Sequence, residues 1–195
     1  MSITEIQKQV TKCTKCDLCT TRTNAVPGKG NFNADVIFVG EAPGRNEDKK
    51  GEPFVGAAGK KLDWALENAG VSRDSIYITN VVKCRPPNNR VPSEHEKDMC
   101  KNYLEREISI IEPKIICIMG NTAFGSILGG SDITKNRGKV IRKNSMNYFL
   151  TIHPAAVIYN QKFESILKSD IAKVLDIARE LKSGKDIDVD YEYTT

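Results

Sequence analysis

The chain has 195 residues, 39% hydrophobic and 28% charged, the balance of one ordinary globular domain able to bury its own core. No apolar run approaches the roughly 20 residues that span a bilayer, and the opening MSITEIQKQVTKC lacks the apolar stretch of a signal peptide, so an intracellular protein with reduced thiols is expected. The net charge of +4 is uneven: Asp186, Asp188, Asp190 and Glu192 against Lys185 leave −3 on residues 183–195 and +7 on the rest, a body suited to a polyanion.

In chain order, residues 2–12 read as a short helix opening at Ser2 or Thr4. Cys13 and Cys16 follow as a C-x-x-C pair, and Cys16 and Cys19 make a second one. Residues 35–39 form a short β-rich run ending at Gly40. Residues 59–69 place Leu62, Leu66 and Ala69 at helical spacing before Gly70. Residues 76–82 read as a buried strand, followed by Cys84 in a Lys-Cys-Arg-Pro-Pro turn. Residues 93–111 open with Ser93 and Glu96 in capping-box spacing and carry Cys100. A strand over 114–119, a helix over 121–128, a strand over 147–152 and a long helix over 163–182 complete the body. Residues 183–195 read as a polar, frayed tail, leaving 1–182 as one domain. Strands thus alternate with helices, and two central strands are apolar on both faces, the pattern of an α/β fold with a parallel sheet covered on each side.

In such sheets ligands bind beyond the carboxyl ends of the strands. After the first strand comes Gly40-Glu41-Ala42-Pro43-Gly44, a tight turn whose amides can face a ligand. It fits neither the phosphate-binding P-loop nor the G-x-G-x-x-G fingerprint. Phe54 sits among turn formers in GEPFVG, where an aromatic either stacks on a planar ring or anchors the loop. Asn80 interrupts an apolar strand; its amide offers the donors and acceptor that complement a nucleobase edge, or it satisfies nearby backbone. His153, followed by Pro154, Ala155 and Ala156, stands at the end of the last strand, whereas His95 lies among charges on a helix and reads as solvated. Four thiolates hold either tetrahedral zinc or a [4Fe–4S] cluster. Spacing alone does not choose between the two C-x-x-C pairs, while Cys117, in an apolar strand, reads as a buried hydrophobe.

GEAPGRNED, GEPFVGAAG, YITNVVKCRPPNNR and HPAAV, with the cysteines in that order, resemble the family 4 uracil-DNA glycosylases over roughly residues 10–180. The resemblance implies a three-layer α/β/α sandwich around a four-stranded parallel sheet. It also implies an enzyme that hydrolyses the N-glycosidic bond of deoxyuridine in DNA and leaves an abasic site. By the same resemblance Cys13, Cys16, Cys84 and Cys100 ligate a [4Fe–4S] cluster, and Cys19 does not. Phe54 stacks on the flipped uracil, Asn80 reads its edge, the backbone at Glu41 and Ala42 contacts it, and Glu47 lies near C5, where thymine carries its methyl. His153 meets O2 and stabilises the departing anion. Family 1 relatives carry a water-activating Asp at the position of Ala42, so here Glu41 or Glu47 orients the water, or leaving-group stabilisation does most of the work; the second is favoured.

The loop after His153 departs from the family pattern, with Val157, Ile158 and Tyr159 as candidate wedges into the duplex. Lys83, Arg85, Arg90, Arg137, Lys139, Arg142 and Lys143 are candidate phosphate contacts. The expected partner is uracil-containing DNA, single- or double-stranded, bound by a monomer at the nucleoid; a sliding clamp is the protein partner to consider. The alternatives are a family 5 glycosylase with broader substrates and a non-catalytic, zinc-stabilised nucleic-acid-binding module.

Overall fold

The computed structural model describes residues 2–193. Helix α1 (Ile3–Thr11) opens at Ser2, whose hydroxyl accepts from the Glu5 amide while the Glu5 carboxylate accepts from the Ser2 amide. A short α2 (Leu18–Thr21) and a two-residue β1 (Lys29–Gly30) lead into β2 (Val36–Gly40), then α3 (Arg45–Lys50), α4 (Ala57–Asn68) and β3 (Tyr77–Asn80). The second half runs α5 (Glu94–Ile111), β4 (Ile115–Met119), α6 (Asn121–Leu128), α7 (Ile133–Asn136), β5 (Val140–Lys143), β6 (Met146–Thr151), α8 (Ala155–Tyr159), α9 (Phe163–Lys182) and β7 (Tyr191–Tyr193).

The strands form one sheet in the order β1-β3-β2-β4-β6-β5-β7. Its centre, β3-β2-β4-β6, is the expected four-stranded parallel sheet. The structure adds antiparallel β1 and β5 on its flanks, with β7 beyond β5, so among the described residues the sheet is mixed and seven-stranded. β2 and β4 are buried along their whole length, as continuous apolar runs inside a parallel sheet must be. Their side chains alternate between two cores. Ile37, Val39, Ile116 and Ile118 join the core on the α1 and α5 side, while Phe38, Cys117 and Met119 join that of α4 and α9. Each such side chain contributes about 1.5–3 kcal/mol when fully buried. Cys117 is fully buried, and burial holds its thiol well above the ordinary range, which fits its reading as a hydrophobe.

The tail expected to be frayed carries β7, which pairs in parallel with β5 and leaves Tyr191 and Tyr193 half exposed. Asp190 accounts for the docking: its carboxylate accepts from the Val140 amide, and its own amide donates to the Val140 carbonyl.

The chain passes from β2 outward to β3 and then to β4 on the other side of β2, so the direction of winding switches at β2. A crevice opens at the strand ends at such a switch. The loop after β2 and the end residues of β3 and β6 converge there.

Candidate active site

A cavity of about 520 Å3 lies at that crevice, lined by Glu41, Ala42, Glu47, Phe54, Asn80 and His153 among others. Every residue expected from the sequence to meet the base thus faces one space. Phe54 has a left-handed backbone (φ 52), an uncommon conformation for an aromatic that costs about 1–3 kcal/mol. Arg73 holds it there by donating to the carbonyls of Pro53 and Phe54 at 2.6 and 2.9 Å, while pairing with Asp63 at 2.6 Å. Gly59 is required beneath it, since a Cβ there would stand 1.9 Å from the Phe54 carbonyl oxygen. The Phe54 and His153 rings lie 5.7 Å apart, inclined by 32°.

Asn80 is 2% exposed, and its Oδ1 is buried without a hydrogen-bond partner. An orphan acceptor of this kind costs about 1–3 kcal/mol unless a ligand satisfies it. A Cβ on Gly40 would stand 2.6 Å from both that oxygen and the Phe54 ring, so only glycine lets amide and ring share the pocket floor.

His153 Nδ1 accepts the Ala155 amide at 3.1 Å, which assigns the ring proton of the neutral imidazole to Nε2. Burial pushes the His153 pKa down to about 4, against the opposing pull of the nearby Glu47 carboxylate. At neutral pH the pocket therefore presents a neutral N–H donor.

Glu47 Oε1 accepts from the Val55 and Gly56 amides at 2.9 and 2.7 Å, just before α4, which fixes the Phe54 loop. Glu41 accepts the Thr122 hydroxyl from α6, which ties the loop after β2 across the crevice.

Residues 27–176 match the family model of the uracil DNA glycosylase superfamily. The chain is 48% identical over 187 residues to the type-4 uracil-DNA glycosylase of Sulfurisphaera tokodaii, covering 91% of this chain and 85% of that protein. It is 45% identical to the type-4 enzyme of Saccharolobus solfataricus, covering 95% and 88%, and 44% identical to that of Archaeoglobus fulgidus, covering 89% and 92%. The chain belongs to the type-4 uracil-DNA glycosylases.

In this type-4 glycosylase a second, smaller cavity is lined by Cys13, Cys16, Cys84 and Cys100, the four expected ligands, and also by Cys19. Among the described residues, no three His, Cys, Asp or Glu side chains are grouped as a single metal ion would need. Four thiolates are a donor set that accepts either tetrahedral zinc or a [4Fe–4S] cluster. Burial pushes the Cys84 thiol up to about 11, partly opposed by the Arg22 guanidinium, which donates to its sulfur at 3.0 Å and to the Cys13 carbonyl at 2.8 Å. Arg22 escaped the sequence reading; a lone arginine soon after two C-x-x-C pairs was the available signal.

The rim departs from expectation at several points. Val157 is 1% exposed and is no wedge, while Ile158 and Tyr159 are exposed and Tyr159 also lines the pocket. Lys83 is 1% exposed and paired with Glu107 at 2.6 Å, so it cannot reach a phosphate. Arg137 is paired with the buried Asp170. Arg142 and Lys143 lie toward the end of β5 opposite the pocket, because β5 runs antiparallel to β6. Lys139 sits over the Tyr191 ring at 5.1 Å. Arg90 lines the pocket while gripping Glu96 through both nitrogens at 2.8 and 2.6 Å, which holds the Glu96 carboxyl down at about 2. Arg45, in GEAPGR, is an exposed rim cation that the phosphate set omitted.

Proposed function

We infer that this chain removes uracil from DNA by hydrolysing the bond between the base and deoxyribose, leaving an abasic site. The observation that carries the reading is the unpartnered Asn80 Oδ1 beside Phe54 and the neutral His153. An acceptor there suits N3–H of a flipped uracil. Cytosine, with an acceptor at N3 and a donor in place of O4, would face two mismatches, which hydrogen-bonding sites reject strongly. Phe54 supplies the stacking face.

The transition state is an oxocarbenium-like sugar leaving a uracil anion. His153 Nε2–H donates to O2 as that charge grows, a contribution of about 2.7–4 kcal/mol for one donor in a dry site. Ala42 has no basic group, so Glu41 or Glu47 is left to orient the water. Of the two, Glu47 has one carboxylate oxygen engaged by amides, and leaving-group stabilisation is the larger effect in this account. Tyr159, with Ile158 beside it, is the wedge that fills the gap left by the extruded base.

The cofactor in this reading is a [4Fe–4S] cluster on Cys13, Cys16, Cys84 and Cys100. It joins the N-terminal segment to α5 and to the turn after β3, and its contribution is structural. The reading also includes a monomer acting at the nucleoid, with a sliding clamp as candidate protein partner. The test is incubation of cluster-replete protein with single- and double-stranded oligonucleotides containing one uracil. Abasic sites at that position are expected on both, and none on either would overturn the reading. Substrates with hypoxanthine or mismatched thymine separate it from the family 5 alternative, which predicts comparable cleavage of those bases.

A further inference from the structure

Beneath the pocket floor lies a charged pair that the reaction above does not use. Lys83 is 1% and Glu107 0% exposed, and their side chains meet at 2.6 Å. Two charges taken this far from water need further partners. Glu107 accepts from the Tyr77 and Thr79 hydroxyls at 3.2 and 2.9 Å and from the Gly28 amide at 3.2 Å. Lys83 Nζ donates to Thr79 Oγ1 at 2.5 Å and to the main-chain carbonyl of Asn80 at 2.9 Å. Asn80 carries its amide into the pocket, while the neighbouring Thr79 points to the opposite face of the sheet, toward Glu107. The ammonium therefore grips the backbone of the base-reading residue from behind. Lys83 is itself pinned at both main-chain ends: its carbonyl accepts the Val26 amide at 2.7 Å, and its amide meets the Cys100 thiol.

We propose that Lys83 is the positioning residue for uracil recognition: by fixing the Asn80 carbonyl it holds the side-chain amide at the angle at which the orphan Oδ1 meets the base. The inference rests on the assignment of Asn80 to base reading. A buried ion pair is weak evidence for stability, since apolar replacements of similar volume are often neutral. The contact from Lys83 Nζ to the Asn80 carbonyl gives the pair a role in geometry, because a shift of well under 1 Å at the Asn80 backbone spoils a hydrogen bond.

The test uses inhibition by free uracil, which reports on the folded enzyme alone and is insensitive to the fraction that folds. Three proteins are compared with the parent: Asn80→Ala, Lys83→Met with Glu107→Leu, and Lys83→Gln with Glu107→Gln. Glutamine keeps polar contacts but is one bond shorter than lysine and falls short of the Asn80 carbonyl. This third protein decides the matter should the apolar pair fail to fold. Both paired variants are expected to keep their iron content and to bind undamaged DNA within about twofold of the parent, and to weaken uracil inhibition about tenfold or more, the scale of a lost hydrogen bond to a charged group. A weakened constant in Asn80→Ala with an unchanged one in the paired variants would overturn the role of Lys83 and leave the base-reading assignment standing. An unchanged constant in Asn80→Ala would overturn both.

Discussion

The pocket floor and the cysteine cavity both draw on the segment from Asn80 to Cys100 and are built on opposite principles. In the pocket each base-facing residue is held by the protein before any ligand arrives: Arg73 on the Phe54 backbone, the Ala155 amide on the His153 ring, and Lys83 on the Asn80 carbonyl. What is left over, one amide oxygen and one ring N–H, is what a uracil edge can use. In the cysteine cavity the thiols have single partners, Arg22 on Cys84, the Lys83 amide on Cys100 and the Leu18 amide on Cys16, yet burial still raises all three. Thiols held this way are stable protonated or bound to cations, not as bare thiolates. One region is preorganised for chemistry; the other is completed by what fills it. Pocket substitutions should therefore cost rate without cost to the fold, and cysteine substitutions the reverse.

The largest effect expected is at the cysteines. On the proposed cluster assignment, Cys84→Ser should lower the iron bound per chain and drop the melting temperature by about 10 °C or more. Retained iron with an unchanged melting curve would break the contrast from that side. His153→Ala should slow base release about 10²–10³-fold while duplex affinity stays within a few-fold. Equal losses in rate and affinity would remove His153 from the transition state. Tyr159→Ala, at an 89% exposed position, should lower duplex cleavage about tenfold and single-strand cleavage much less, since only the duplex has a gap to fill. A uniform loss on both substrates would deny it the wedge role.

The remaining effect is on stability against pH. With its pKa lowered from 6.5 to about 4, His153 is neutral in the folded protein while the unfolded chain takes up a proton between those values. Its contribution is complete above pH 6.5 and is lost as pH falls toward 4. His153→Asn should flatten that stretch in urea unfolding between pH 4.5 and 7 (about the limits of the window). An unchanged slope would mean that the ring titrates as in water.

Much of the pocket was legible because its residues break local rules. A phenylalanine among turn formers, an amide inside an apolar strand and a histidine at a strand end each need a reason, and all three proved to share one cavity. The parallel core was legible from continuous apolar runs, whereas β5, reading Val-Ile-Arg-Lys, is half charged and too short to stand out. The tail strand escaped because its pairing is set by Asp190 and Val140, fifty positions apart. Lys83 was misread as a surface charge because its turn also holds Arg85. The overlooked signal lay in α5, where Glu107 falls on the same buried stripe as Cys100, Tyr103, Leu104 and Ile111. A carboxylate on such a stripe demands a buried cation. Arg73 and Thr122 gave no comparable signal, since their partners are fixed only by tertiary packing.

The central claim is that the pocket floor is shaped for uracil, and a crystal structure of the protein soaked with free uracil tests it most directly. The account predicts the base stacked on Phe54, with N3–H on Asn80 Oδ1, O2 on His153 Nε2, and those side chains unmoved. Uracil bound elsewhere, or bound with the Asn80 oxygen still without a partner, would contradict it.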